Sequence, residues 1–266
     1  MTENWNEIDR FAKDLIHHAG ETIKNSFKDK LSIESKSNAN DLVTNMDKEI
    51  EQYFVKEIRR YNPDHKILGE EGYGDQVTSH EGTVWIVDPI DGTMNFVHQQ
   101  RNFAISIGIY HNGIGMLGYI YDVVLDELYH AHKGNGAYMN EEKLKPLKPV
   151  PVSEAIFSIN ATWITPHEKV PYQIFGPIVH DVRGTRSYGS AALELAYVAA
   201  GRLDGYLTMR LAPWDIAGGK ILIEEVGGVV TNLQNQTHSL LGKDSLFAGN
   251  ADVHNEIYQN YLQGKL

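Results

Sequence analysis

Beyond residue 155 the chain alternates short apolar runs with longer helix-like stretches, and this order limits the folds open to it. A strand is read over 156–159, a helix over about 189–200, a strand near Tyr206, a helix over about 215–226, strands near Val229 and Leu246, and a last helix from about Asp252. Strands separated by helices bury their apolar faces by layering helix on sheet, which is an α/β layout. The first half reads differently. Trp5, Ile8, Phe11, Ala12, Leu15, Ile16, Ala19, Ile23 and Phe27 recur at helical spacing and predict a helix over 4–28, with Asn4 and Glu7 as its N-terminal cap. A polar loop over 32–40 holds Lys36, and a second helix begins near Thr44 with Asp47 in its first turn and Ile50, Tyr53, Phe54 and Ile58 inward. The stretches 83–87, 103–110, 116–121, 129–132 and 136–139 are rich in β-formers, with a turn at His111-Asn112-Gly113. Prolines and lysines crowd 142–152 and divide an N-terminal α+β part, 1–145, from a C-terminal α/β part, 146–266.

Bulk properties narrow the chemistry. The net charge of −11 argues against nucleic acid as a partner. No apolar run approaches the roughly 20 residues that span a bilayer, and residues 1–10 lack the apolar core of a signal peptide. With no cysteine, thiolate metal sites and cysteine nucleophiles are excluded, and the absence fits a cytoplasmic location. A chain this acidic that handles phosphate must take positive charge from elsewhere, and bound divalent cations held by clustered carboxylates would supply it.

Three segments offer such a cluster. In the first, an apolar strand runs straight into Asp88-Pro89-Ile90-Asp91-Gly92-Thr93. Pro89 stiffens the turn, so Asp88 and Asp91 can present carboxylates to a common point. Amides at Gly92 and Thr93 can hold a phosphate oxygen if a helix starts there. Asp, Pro and Gly are also favoured turn residues, so an ordinary turn explains the segment equally well. In the second, Gly69-Glu70-Glu71-Gly72 puts two acids between glycines, and by itself reads as a solvated loop. In the third, Pro213-Trp214-Asp215 opens a helix, and by itself Asp215 reads as a cap.

Taken together, the segments resemble the inositol monophosphatase family of lithium-sensitive, magnesium-dependent phosphatases. The first signature stands complete at 85–96 and the second at 214–228; Gly69-Glu70-Glu71, Asp41-Leu42-Val43-Thr44 with Asp47, and Lys36 match as well. The resemblance covers essentially the whole chain and implies a layered αβαβα sandwich. It implies that Glu70, Asp88, Asp91, Asp215 and the carbonyl of Ile90 hold two or three Mg2+ ions. Thr93 and Asp47 would position and deprotonate the attacking water, with Glu70 beside them. Gly92 and Thr93 would bind phosphate, and Gly189, Ser190 and Ala191 would line the substrate end with Asp91 and Asp215. Lys36 would sit on a mobile loop. The implied substrate is a small soluble phosphate ester, inositol monophosphate foremost, and the implied assembly a homodimer.

One departure bears on specificity. Relatives that favour inositol carry Glu seven residues before the second-signature Asp; here that position is Thr208, with Arg210 nearby. A lost carboxylate and a nearby cation favour a substrate with a second anionic group, such as NADP or fructose bisphosphate; Arg210 equally reads as a surface strand end. A catalytically dead regulator is disfavoured because every expected acid is present. The run Gly113-Ile114-Gly115-Met116-Leu117-Gly118 matches G-x-G-x-x-G, but strand-like runs on both sides make it a hairpin rather than a dinucleotide loop.

Overall fold

The computed structural model describes residues 3–28, 32–35, 42–166 and 172–265. Lys36 and Asp41 lie outside the described residues. In chain order the elements are α1 (Trp5–Ser26), β1 (Ile33–Ser35), β2 (Leu42–Thr44), α2 (Asn45–Tyr61), β3 (Lys66–Gly69), β4 (Thr83–Asp91), α3 (Thr93–Gln99), β5 (Ala104–His111), β6 (Ile114–Asp122), β7 (Glu127–His132), β8 (Gly136–Met139) and β9 (Glu142–Lys143). They continue with β10 (Ile156–Ile159), α4 (Tyr172–Asp181), β11 (Gly184–Arg186), α5 (Ala191–Ala199), β12 (Gly205–Leu211), α6 (Pro213–Glu225), β13 (Gly228–Thr231), β14 (Asp244–Asn250) and α7 (Ala251–Ile257).

Two sheets organise the molecule. One has seven strands in the order β3-β4-β5-β6-β7-β8-β9, and the other five in the order β11-β10-β12-β14-β13. The first is a meander apart from the parallel β3–β4 pair. All nine residues of β4 are buried, so both of its faces are covered. Trp85 and Val87 pack with Ile8, Ile16, Ile50 and Phe54 of α1 and α2. Val84 and Ile86, on the opposite face, pack with α5 and α6, which also meet Tyr206, Val230, Leu246 and Ala248 of the second sheet. The far face of that sheet, with Phe157, Leu207 and Phe247, carries α4 and α7. The order is therefore helix, sheet, helix, sheet, helix, as the resemblance implied.

α6 lies between the sheets and is buried from Ile216 to Ile223, so it carries no polar stripe. Its small residues set how closely it approaches. A Cβ on Gly218 would stand 2.7 Å from the Tyr119 carbonyl oxygen of β6, closer than side-chain carbons pack. The tyrosine of β5, Tyr110, donates to the Ala217 carbonyl at 2.9 Å and fixes the same contact.

Several details differ from expectation. Asn4 precedes α1, but its side chain makes no cap hydrogen bond and instead donates to Glu7 at 3.3 Å. Tyr53 packs against the core but is only half-buried. A helix does start at Thr93, the condition set for phosphate binding by the Gly92 and Thr93 amides; α3 has only 7 residues, too few to show a period. α4 went unread because it contains Pro177, which reads as a breaker. The G-x-G-x-x-G run is the β5–β6 hairpin, as argued. No helix among the described residues is long and apolar enough to cross a membrane.

Candidate active site

β4 supplies the first two acids. In a regular strand, residues three apart face opposite sides. Pairing of β4 with β5 shifts register between Asp88 and Asp91, where Pro89 has no N–H to give the ladder. This irregularity turns both carboxylates to one side. Asp88 is buried and accepts the Ile90 amide at 3.0 Å.

Asp91 is tied to the start of α5. One of its oxygens accepts the Ser190 hydroxyl and, at 2.7 Å, the Ala192 amide. Ser190 also caps α5, accepting from the Leu193 amide. Gly189 backs this junction from the other side. Gly92 has φ 96, a left-handed value, and a Cβ there would stand 3.2 Å from the Gly189 carbonyl oxygen and from Ser190 Cβ. Asn95 of α3 holds the loops together, donating to the carbonyls of Asn102 at 2.8 Å and Tyr188 at 2.7 Å.

Asp215 arrives on the first turn of α6, where Pro213 suits the first helical position. It accepts the Ala212 amide at 2.7 Å. Ser106 of β5 lies opposite Asp88 and donates to the Trp214 carbonyl at 3.1 Å, so one hydroxyl joins the strand of Asp88 to the helix of Asp215. As a result, one oxygen from each of Asp88, Asp91 and Asp215 lies within 4.8 Å of the other two.

Glu70 follows β3, the parallel neighbour of β4. Its charge acts on Asp88 and also on Asp47, Asp91 and Asp215. It stands outside the set of three mutually close acids.

The crowding shows in the acidities. Burial, then Glu70, Asp91 and Asp215, push the Asp88 carboxyl well above its ordinary value. Burial raises Asp91 to about 7 against the pull of Ser190 and Ala192. Burial and Asp91 raise Asp215 well above its ordinary value, and Lys243 opposes them weakly. Each group would ionise far more readily beside a cation. The donors are hard carboxylate oxygens with neither thiolate nor imidazole among them, a set that fits Mg2+.

A second pair adjoins the acids. Asp47 sits on the first turn of α2, 1% exposed. One oxygen accepts the Thr44 amide at 2.8 Å and the Thr44 hydroxyl at 2.6 Å, which leaves the other facing the Thr93 hydroxyl at 3.0 Å. Thr93 is also 3.1 Å from the Ile90 carbonyl, so its single hydrogen has two alternative acceptors. Thr93 opens α3, whose first amides have no preceding helical carbonyl to bond.

Thr208 is 5% exposed on β12 and accepts from the Trp163 indole N–H at 3.1 Å. Arg210 is exposed two residues on. The reading of the sequence passed over Ser106, Asn95, Trp163, Glu51 and Glu194, which reach the site through other residues. Only Glu51 carried a signal, standing one helical turn after Asp47.

Comparison with known proteins agrees with this geometry. The inositol monophosphatase family pattern matches residues 4–264. The chain is 58% identical to the inositol-1-monophosphatase of Bacillus subtilis over 98% of this chain and 99% of that one. It is 35% identical to the fructose-1,6-bisphosphatase/inositol-1-monophosphatase of Thermotoga maritima, over 85% of this chain and 84% of that one. A crystal structure of an IMPase/NADP phosphatase complexed with Mg2+ and phosphate superposes with a TM-score of 0.89 at 28% identity, covering 97% and 95% of the two chains. Two acids on β4 that meet a third on the first turn of α6, a threonine–aspartate pair beside them and matches of this extent together place the chain in the inositol monophosphatase family.

Proposed function

We propose that the chain is a Mg2+-dependent phosphomonoesterase acting on small phosphate esters, with inositol monophosphate as its first substrate. The observation that carries the reading is the placement of Asp88, Asp91 and Asp215 within 4.8 Å of one another, beside the Thr93–Asp47 pair. The three acids would hold the ions, two or three per site, with Glu70 and the Ile90 carbonyl completing the set. Bound Mg2+ supplies Lewis acidity, which polarises the phosphoryl group and makes water more acidic. The chain's own groups do the rest. Ser190 and Ala192 fix one oxygen of Asp91 and leave the other available to a cation. The Gly92 and Thr93 amides receive phosphate oxygens. Thr93 accepts a proton from the attacking water as it passes its own to Asp47. Burial has already raised the Asp47 carboxyl above its ordinary value, which suits it to accept that proton.

The test is phosphate release from inositol monophosphate with Mg2+ and after its removal by chelation. Activity untouched by chelation overturns the reading. Lithium is expected to inhibit by occupying an Mg2+ position with half the charge, and millimolar excess Mg2+ to slow release of product phosphate. An enzyme indifferent to both has a different arrangement of ions. A cytoplasmic homodimer accords with the family resemblance and the absence of cysteine.

A second reading concerns specificity. Thr208 is neutral, and its hydroxyl is already engaged by Trp163, so it offers no carboxylate to ring hydroxyls. Arg210, exposed on the same strand, offers charge to a second phosphate. Measurable turnover is therefore expected on NADP or fructose bisphosphate as well. Thr208→Glu should shift the ratio of kcat/KM toward inositol monophosphate by roughly tenfold, the scale of one charged hydrogen bond. An unchanged ratio removes position 208 from control of specificity.

A further inference from the structure

Two buried glutamates that the reaction does not use stand behind opposite rims of the site. Glu51 lies on α2, one turn beyond Asp47, and is 0% exposed. One of its oxygens accepts the Glu71 amide at 2.6 Å and the other the Tyr73 amide at 2.8 Å. Its carboxylate thus grips the backbone just beyond Glu70, across a turn that Gly72 makes with φ 79. Gly69 leaves room for this grip, since a Cβ there would stand 2.5 Å from the Glu51 carboxyl carbon.

Glu194 repeats the device on the first turn of α5, 5% exposed. It accepts the amides of Tyr188 at 2.7 Å and Gly189 at 3.4 Å. The loop so held ends at Gly189; Ser190 and Ala192, the two partners of Asp91, are fixed separately by the cap and first turn of α5.

A buried carboxylate is costly to desolvate, and a glutamine of the same shape is less so. At Glu51 both oxygens accept, whereas a glutamine NH2 there would face a backbone N–H with a donor; at Glu194 one oxygen accepts both amides, so the advantage there is the charge alone. At both positions the hydrogen bonds to a carboxylate are charge-assisted, which holds the loop more stiffly.

We infer that Glu51 and Glu194 are positioning residues with separable duties: Glu51 sets Glu70 for the cation, and Glu194 sets the Tyr188–Gly189 rim for the substrate. The inference builds on the phosphatase reading. Glu51→Gln should weaken Mg2+ binding, measured by calorimetry, and raise the Mg2+ activation constant by about 10–100-fold, the usual effect of losing a ligand's support. KM for inositol monophosphate at saturating Mg2+ should stay within about threefold. Glu194→Gln should do the reverse, raising KM about tenfold while Mg2+ affinity holds within about threefold. Gly69→Ala pushes the Glu51 carboxylate off its amides without altering its charge and should reproduce the Glu51→Gln effect on Mg2+; it decides the matter if Glu51→Gln does not fold. Mg2+ binding within about twofold of the parent in folded Glu51→Gln or Gly69→Ala, or equal loss of both constants in both glutamate variants, overturns the assignment. A parent that neither binds Mg2+ nor releases phosphate overturns the phosphatase reading itself; an active parent with unaffected variants overturns only the positioning roles.

Discussion

Asp88→Asn is expected to lower kcat by about 10³-fold or more while leaving the metal-free protein at least as stable as the parent. The two outcomes come from the same geometry. Asp88 is buried at the end of β4 and faces the charges of Glu70, Asp91 and Asp215. Its carboxyl is pushed well above its ordinary value there, because ionisation would put like charges together out of water. Asparagine keeps the shape, and its oxygen still accepts the Ile90 amide that Asp88 accepts at 3.0 Å. What it removes is the negative charge that a shared cation needs. A residue kept for folding would cost stability when replaced, whereas one kept for binding a cation relieves strain in the metal-free state. Phosphate release at saturating Mg2+, together with thermal unfolding in chelator, reads both quantities. Retention of more than about a tenth of the parent kcat sinks the ligand role, and a large fall in the metal-free Tm shows that Asp88 is structural instead.

Local signals were the legible ones. The apolar run into Asp88 and Asp91 announced both a buried strand and its acids. The Pro-Trp-Asp start of α6, with the small residues after it, is likewise written in neighbouring positions. The αβαβα order followed from the resemblance that these motifs carry. What escaped depends on partners distant in sequence. Glu51 meets the amides of Glu71 and Tyr73, about 20 residues on. Ser106 reaches the carbonyl of Trp214, more than 100 residues away. A side chain that bonds to backbone leaves no residue-type signature in its partner, so pattern reading has nothing to match. The β4–β5 register shift is similar: Pro89 hinted at stiffness, but only pairing with β5 shows that residues three apart come to face the same way.

The metal-free protein is expected to lose stability as pH rises above about 6.5, and Mg2+ to reverse the trend. Asp91 has a folded-state pKa raised to about 7 from an ordinary 3.8, and Asp88 and Asp215 are raised well above 3.8. Between the unfolded and folded values the native state holds protons that the unfolded chain has released. Stability then falls with rising pH, by up to about 1.4 kcal/mol per pH unit for each retained proton. In a domain of this size that is roughly 3–5 °C in Tm per unit. The buried histidines pull the other way at lower pH. Burial lowers His254 to about 4 from 6.5 and lowers His130 and His238 too, so their effect is stability that rises with pH and is complete above about 6.5. The window from about 6.5 to 8.5 therefore isolates the acids. Mg2+ must displace their protons to bind, so its affinity rises across the same window. At 100 times its dissociation constant a single ion adds about 2.7 kcal/mol, or roughly 5–10 °C. Thermal unfolding at pH 6.5, 7.5 and 8.5, in chelator and in Mg2+, separates these effects. A metal-free Tm that is flat or rising across the window would mean that the acids of β4 and α6 are already ionised without a cation, and the electrostatic case for Mg2+ at this centre would be lost. In Asp88→Asn the metal-free slope should shrink, because one of the protons that drives it is gone.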